Sequence, residues 1–87
     1  MMRLKIEIVG NGLHPNEAVV GIKTNEGPQR LVIARRSIDD GFISVGWPLG
    51  HQDKTTLVEL PRETQTGAWR VWVPDDQLIQ SEERRRA

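Results

Sequence analysis

The feature that most constrains this chain is a series of short segments in which apolar and polar residues alternate. In residues 2–9, the apolar side chains Leu4, Ile6 and Ile8 fall on one side and charged side chains on the other. Alternation with a period of two is typical of a β-strand with one buried face. No long helical pattern lies between these segments, so parallel strands connected by helices are not expected.

Six such segments, separated by glycine, proline and asparagine turns, predict an all-β fold. We expect a small antiparallel barrel or sandwich of five to six strands with a short C-terminal helix. Pro74, Asp75 and Asp76 are expected to open that helix, because proline and acidic residues suit a first helical turn. We predict one β domain over residues 1–81 and a charged flexible tail over 82–87, and we find no internal repeat. The predicted strands are residues 2–9, 17–24, 29–35, 42–46, 55–61 and 68–73.

The residues of the last two predicted strands indicate the register in which these strands pair. If paired residue numbers sum to 129, Leu60 faces Trp69 and Val58 faces Val71 on one side of the hairpin. On the other side Glu59 faces Arg70 and Leu57 faces Trp72. Each favourable cross-strand pair contributes roughly 0.2–1 kcal/mol, and a slip of one residue would remove all four matches.

This register gives the hairpin a second face that is not cleanly polar. It carries Leu57, Glu59, Arg70 and Trp72, and Phe42 of the fourth strand is expected to extend it. Two interpretations stay open. Either the face is covered, by barrel closure or by the C-terminal helix, or it is open and forms a contact surface.

Two further segments leave alternatives. Residues 36–41 contain Asp40-Gly41, which suits a hairpin turn, and Ser37, which suits the cap of one helical turn. Residues 47–54 are expected to be a loop, in which Pro48 holds Trp47 in extended geometry. Trp47 is then either a lid over the open end of a barrel or an exposed anchor for a ligand.

The net charge of the chain argues against a general role in binding nucleic-acid phosphates. The 87 residues include 12 basic and 12 acidic side chains, and omitting residues 82–87 leaves 9 basic and 10 acidic. Nucleic-acid-binding domains usually have a basic excess. Without cysteine, a signal-peptide pattern or a long apolar segment, the chain is expected to be cytoplasmic and not to associate with a membrane.

The titratable residues do not form a recognisable site. His14 and His51 are expected to be solvated loop histidines, because no further ligands converge on them in the sequence. The acidic pairs at residues 39–40 and 75–76 are explained by a turn and a helix start. We therefore assign no catalytic residue, no metal ligand and no cofactor.

The sequence favours a non-enzymatic interaction module that binds a protein partner or itself. One alternative is a nucleic-acid-binding barrel of the OB or SH3-like type, with stacked aromatic residues beside arginines. Another alternative is a small enzyme whose site forms at a dimer interface. The candidate binding residues are Trp47, Trp72, Arg70, Phe42, Arg35 and Arg36.

Overall fold

The computed structural model describes residues 2–80, which form ten short strands in three antiparallel sheets and two single 3₁₀ turns. The 3₁₀ turns are Arg35–Ser37 and Asp75–Gln77. The strands are β1 (Met2–Lys5), β2 (Glu7–Asn11), β3 (Glu17–Thr24), β4 (Gly27–Ala34), β5 (Ile38–Asp39), β6 (Phe42–Val45), β7 (Gly50–Gln52), β8 (Thr55–Glu59), β9 (Arg70–Pro74) and β10 (Leu78–Gln80).

The sheets have the strand orders β10-β1-β6-β5, β2-β3-β4 and β7-β8-β9. The prediction of an antiparallel all-β fold is confirmed, but the described strands do not close into a barrel and number more than six. The predicted first strand is interrupted at Ile6, whose backbone N–H donates to the carbonyl of Gly41 at 2.9 Å. One half of it pairs with β6 and β10, and the other half with β3.

The prediction of a C-terminal helix is wrong within the part of the chain that the structure describes. Asp75–Gln77 makes one 3₁₀ turn, after which Leu78–Gln80 pairs with β1. A strand at this place gives β1 hydrogen-bonding partners along a second edge, which a helix cannot do. The predicted tail, residues 82–87, lies outside the described residues.

The predicted register of the last hairpin is confirmed. Leu57 pairs with Trp72, Val58 with Val71, and Glu59 with Arg70. Beyond the ladder, the N–H of Leu60 donates to the carbonyl of Trp69 at 2.8 Å.

The hairpin interpretation of residues 36–41 is confirmed, whereas Ser37 does not cap a helical turn but ends one. Arg35–Ser37 forms a 3₁₀ turn without a side-chain cap, and a hairpin between β5 and β6 follows it. Asp40 and Gly41 have φ of 56° and 83°, which is the pattern of a type I′ turn.

A structural repeat runs through the molecule, contrary to the sequence-based conclusion. The order of two strand segments, a hairpin, a 3₁₀ turn and a closing strand occurs twice, first in β1–β5 and then in β6–β10. Arg30 of β4 corresponds to Arg70 of β9, Gly10 to Gly50, and Val20 to Val58. Because so few residues are identical, the repeat is not visible in the sequence.

Matching hydrogen bonds support this correspondence. The N–H that opens each 3₁₀ turn donates into the loop before the middle strand of its own sheet, from Arg35 to Asn16 at 2.8 Å and from Asp75 to Lys54 at 3.0 Å.

Each hairpin tip also reaches the other half of the molecule. Asn25 donates to the carbonyl of Trp72 at 2.9 Å, and Gln65 donates to that of Arg30 at 2.8 Å. Leu4 and Ile43, which correspond to each other, are paired where β1 meets β6.

The core lies between the three sheets and draws on both halves of the molecule. Its buried apolar side chains occupy alternate strand positions, as the period-two pattern predicts. They are Leu4, Ile6, Ala18, Val20, Ile22, Leu31, Ile33, Ile43, Val45, Val58, Leu60, Val71 and Val73.

We predict that Leu4→Ala lowers the free energy of unfolding by about 2–5 kcal/mol, because it leaves a cavity at a fully buried position. The matched control is Leu13→Ala, since Leu13 is 93% exposed and its truncation is expected to change stability by less than about 0.5 kcal/mol. Urea unfolding of the two variants measures the difference. Equal losses would contradict a core centred on the β1–β6 pair.

Candidate functional site

The candidate site is the outer surface of the β7-β8-β9 sheet, which we call the tryptophan face. It comprises Gly50, Leu57, Arg70 and Trp72. The backbone ladder places Gly50 opposite Leu57, and Leu57 opposite Trp72, in one row across three strands. The other face of β8 and β9 carries the buried Val58 and Val71.

The indole of Trp72 lies against Gly50. A Cβ placed on Gly50 would lie 3.4 Å from Cη2 of Trp72 and 3.8 Å from Cβ of Leu57. The tryptophan ring therefore extends along the row and over the glycine. Leu57 and Trp72 are half-buried by this arrangement.

Two hollows flank Trp72. One, of about 270 Å³, is lined by Asn25, Gln52, Asp53, Thr55 and the indole. The other, of about 120 Å³, includes Glu26, Gln29, Thr66 and Arg70 in its lining. Polar groups therefore surround a central aromatic ring.

Glu59 and Arg70 form the next row of the same face, and both are exposed. Three ion pairs form within residues 2–80, and this is not one of them. The backbones of Glu59 and Arg70 therefore pair as predicted, but their side chains do not form a salt bridge. The Arg70 guanidinium is left available at the surface.

Trp47 and Leu49 adjoin this face. Trp47 is 69% exposed and Leu49 47% exposed, so Trp47 is not a buried lid. The two residues lie directly before Gly50 in the chain, and three residues of extended chain span at most about 10 Å. The segment that the sequence predicted as a loop is partly a strand, because the backbone of Leu49 and β7 pairs with β8.

No described helix covers the tryptophan face, since the segment expected to form one is strand β10 in another sheet. Arg70 is exposed on this face, whereas Leu57 and Trp72 are half-buried, so the described residues cover the face only in part. Leu57, Arg70 and Trp72 share this surface as predicted.

The other candidate residues lie elsewhere. Phe42 is in β6, where the Arg3 guanidinium lies 5.2 Å from its ring centroid. The same guanidinium donates to the backbone carbonyl and the carboxylate of Asp39 at 2.8 and 3.2 Å. Phe42 is thus partly covered by its own chain and does not extend the tryptophan face.

Arg35 and Arg36 belong to the first 3₁₀ turn. Arg35 donates to the carbonyl of Pro15 at 3.1 Å and to Oδ1 of Asn11 at 2.8 Å, so it fastens the loop between β2 and β3. Arg36 is exposed. Neither arginine lies on the same sheet as Arg70.

A polar cluster at the second 3₁₀ turn was not predicted. Asp75 accepts a hydrogen bond from the Thr56 hydroxyl at 2.6 Å, and its other carboxylate oxygen lies 2.9 Å from Nε2 of His51. The Thr56 hydroxyl, and secondarily His51, lower the pKa of Asp75 below its ordinary value of 3.8. His51 therefore lies in a strand and not in a loop, but its side chain is 63% exposed, as expected of a solvated histidine. His14 is exposed and lies outside the strands, as expected.

The cluster does not form a nucleophile and base. The Thr56 hydroxyl donates to the Asp75 carboxylate and is held by it at 2.6 Å. Thr56 is also buried. The arrangement fastens the 3₁₀ turn to β7 and β8, as Arg35 fastens the first one.

We predict that Asp75→Asn lowers stability near pH 7 and flattens its dependence on acid. A carboxylate with a lowered pKa in the folded state contributes its full stabilisation above the ordinary pKa, and loses it as pH falls through the folded-state value. The difference between wild type and variant is therefore expected to shrink below about pH 3.8. Urea midpoints measured from pH 7 to pH 2 test this.

The matched control is Asp76→Asn, because Asp76 is the neighbouring exposed acid and, within residues 2–80, its carboxylate accepts only from the side-chain amide of Gln77. Equal acid dependence in the two variants would show that the contacts of Asp75 with Thr56 and His51 do not stabilise the fold.

Residues 2–80 contain no group of three or more histidine, aspartate or glutamate side chains placed to hold a metal ion. Over the same span, no helix has the length and apolar character to cross a membrane. Comparisons with models of protein families, with curated proteins and with solved structures find no match.

Proposed function

We propose that the chain is a non-enzymatic interaction module that binds a protein partner through the tryptophan face. The observation that carries this proposal is a sheet surface that holds Leu57, Arg70 and Trp72, with the exposed Trp47 and Leu49 within three residues of Gly50 in the chain. Tryptophan and arginine are enriched among the residues that dominate binding energy at protein interfaces. Exposed apolar groups gathered in one place also favour a contact surface.

The geometry suits a partner that inserts a side chain beside Trp72. The indole is held over Gly50, so little conformational freedom of this ring is lost on binding. The flanking hollows offer polar groups such as Asn25 and Gln52 on one side and Arg70 on the other. A rigid aromatic centre with a polar rim is the usual anatomy of a protein interface.

A partner segment is expected to contact Trp47 and Trp72 together. Trp47 is the more exposed of the two tryptophans. Since Trp47 is three residues before Gly50, and Gly50 lies in the same row as Trp72, we expect both tryptophans at the same end of the sheet. Truncation of either is expected to weaken binding, and truncation of both to abolish it.

Selection of displayed random peptides against the immobilised chain tests this proposal without a known partner. We expect selected peptides to lose at least about tenfold in affinity on Trp72→Ala, since a central interface tryptophan contributes 2 kcal/mol or more. Trp47→Ala is expected to weaken the same peptides. Circular dichroism establishes that each variant is folded.

The matched control is Trp69→Ala. Trp69 is 49% exposed but faces Leu60 on the core side of the hairpin, so its removal is expected to leave peptide affinity within about twofold. Peptides that bind equally to wild type, Trp47→Ala and Trp72→Ala would overturn the proposal. Sedimentation equilibrium distinguishes self-association, which would appear as a dimer lost in the same two variants.

A further inference from the structure

A groove of about 530 Å³ lies on the outer surface of the other three-stranded sheet, β2-β3-β4. This volume falls within the range typical of small-molecule sites. We call it the basic groove because three of its lining side chains are cationic. It is lined by Lys5, Ile6, Glu7, Val9, Gly21, Ile22, Lys23, Pro28, Gln29, Arg30 and Gln77.

Gly21 forms the floor of the groove. It stands in the middle strand, with Glu7 opposite on one side and Arg30 on the other. Two strand spacings separate these neighbours, about 10 Å between their backbones. With no side chain between them, a space remains across the sheet.

The backbone does not require glycine at this position. Gly21 does not have a positive φ, and an added Cβ would meet nothing nearer than Cγ1 of Val9 at 3.6 Å, an ordinary contact. Glycine within a strand weakens it and often marks a place where a ligand approaches the backbone closely. We therefore attribute the glycine to the open groove.

The second half of the molecule provides an internal comparison. The position that corresponds to Gly21 is Glu59, which faces Arg70 across the hairpin. Arg30 corresponds to Arg70 but faces glycine, so no carboxylate stands opposite it. Arg70 thus has an acidic residue opposite it in the β7-β8-β9 sheet. Arg30, at the corresponding position of the β2-β3-β4 sheet, has a residue without a side chain opposite it.

The charges of the groove favour an anion. Lys5, Lys23 and Arg30 are exposed, and none belongs to the three ion pairs formed within residues 2–80. Against the single carboxylate of Glu7, they give the lining a net charge of +2. Lys23 and Arg30 are diagonal neighbours on adjacent strands, about 7–8 Å apart, so both can contact one oxyanion.

Glu7 and the absence of aromatic lining narrow the class of ligand. A carboxylate on the wall accepts hydrogen bonds, which suits a ligand that carries hydroxyl groups beside its negative charge. Single-stranded nucleic acid is usually held by aromatic side chains that stack on its bases, and no residue lining the groove is aromatic. A small polyhydroxylated molecule fits both the volume and the chemistry.

We propose that the basic groove binds a small hydroxylated oxyanion, carrying a phosphate or a carboxylate, through Arg30, Lys23 and Lys5. The site is separate from the tryptophan face. A chain with both surfaces is able to bind a small metabolite and a protein partner on different sheets.

NMR titration of the full chain with glucose 6-phosphate, glucuronate and glucose at low ionic strength tests the proposal. We expect saturable shifts of the amide signals of Glu7, Gly21 and Arg30 with one or both anions and none with glucose. Binding of one anion alone identifies phosphate or carboxylate as the preferred group. Added salt is expected to weaken the affinity.

Variants then locate the site. Arg30→Ala and Lys23→Ala are each expected to weaken binding about tenfold, as expected for a lost charge-assisted hydrogen bond. Arg70→Ala is the matched control, because it removes the corresponding arginine of the other sheet, and it is expected to leave the affinity unchanged. Gly21→Leu fills the groove without altering its charge and is expected to abolish binding.

Three results would overturn the proposal. They are a Kd weaker than about 10 mM for both anions, an equal effect of Arg30→Ala and Arg70→Ala, or tighter binding of a thymidine oligonucleotide with the same sensitivity to Arg30→Ala. The test is independent of the tryptophan face, since Trp72→Ala is expected to leave anion binding unchanged.

Discussion

The pairing of β1 with β6 joins the two halves of this molecule, and the remaining structure is arranged around it. Leu4 and Ile43 face each other in this pair and are both buried. β10 pairs with β1 and β5 with β6, so the closing strand of each half pairs with the opening strand of the other. Neither half could retain these backbone hydrogen bonds alone, so the two halves of residues 2–80 depend on each other.

The repeat gives the protein two sheets of the same plan whose outer surfaces differ. The row Gly10, Val19 and Val32 in the first sheet corresponds to Gly50, Leu57 and Trp72 in the second. Where the first sheet has Val32, the second has Trp72, the central residue of the tryptophan face. At another pair of corresponding positions, the second sheet has Glu59 and the first has Gly21, and the glycine leaves the basic groove open. Each proposed site is therefore found where corresponding positions carry different residues.

The two 3₁₀ turns are held in place by side chains of opposite charge. Arg35 fastens the first turn by donating to Pro15 and Asn11, whereas Asp75 fastens the second by accepting from Thr56 and contacting His51. Asn11 and His51 are themselves corresponding residues. These charged groups are thus engaged in holding the fold, and this is why neither turn is proposed as a binding site.

The sequence by itself determined the antiparallel β class, most of the buried face and the register of β8 with β9. Ile8, which the alternation places on the same side as Leu4 and Ile6, is instead 52% exposed, next to a register shift between β2 and β3. Alternation and cross-strand matching depend only on neighbours along a strand, so Val58, Val71 and the Leu57–Trp72 pair could be predicted from local pattern. Tertiary structure decided where distant strands meet. It placed Leu78–Gln80 beside β1 instead of in a helix, set Gly50 beneath Trp72, and left Gly21 opposite Arg30. These contacts join segments far apart in the chain, and no short-range pattern of residues specifies such pairing.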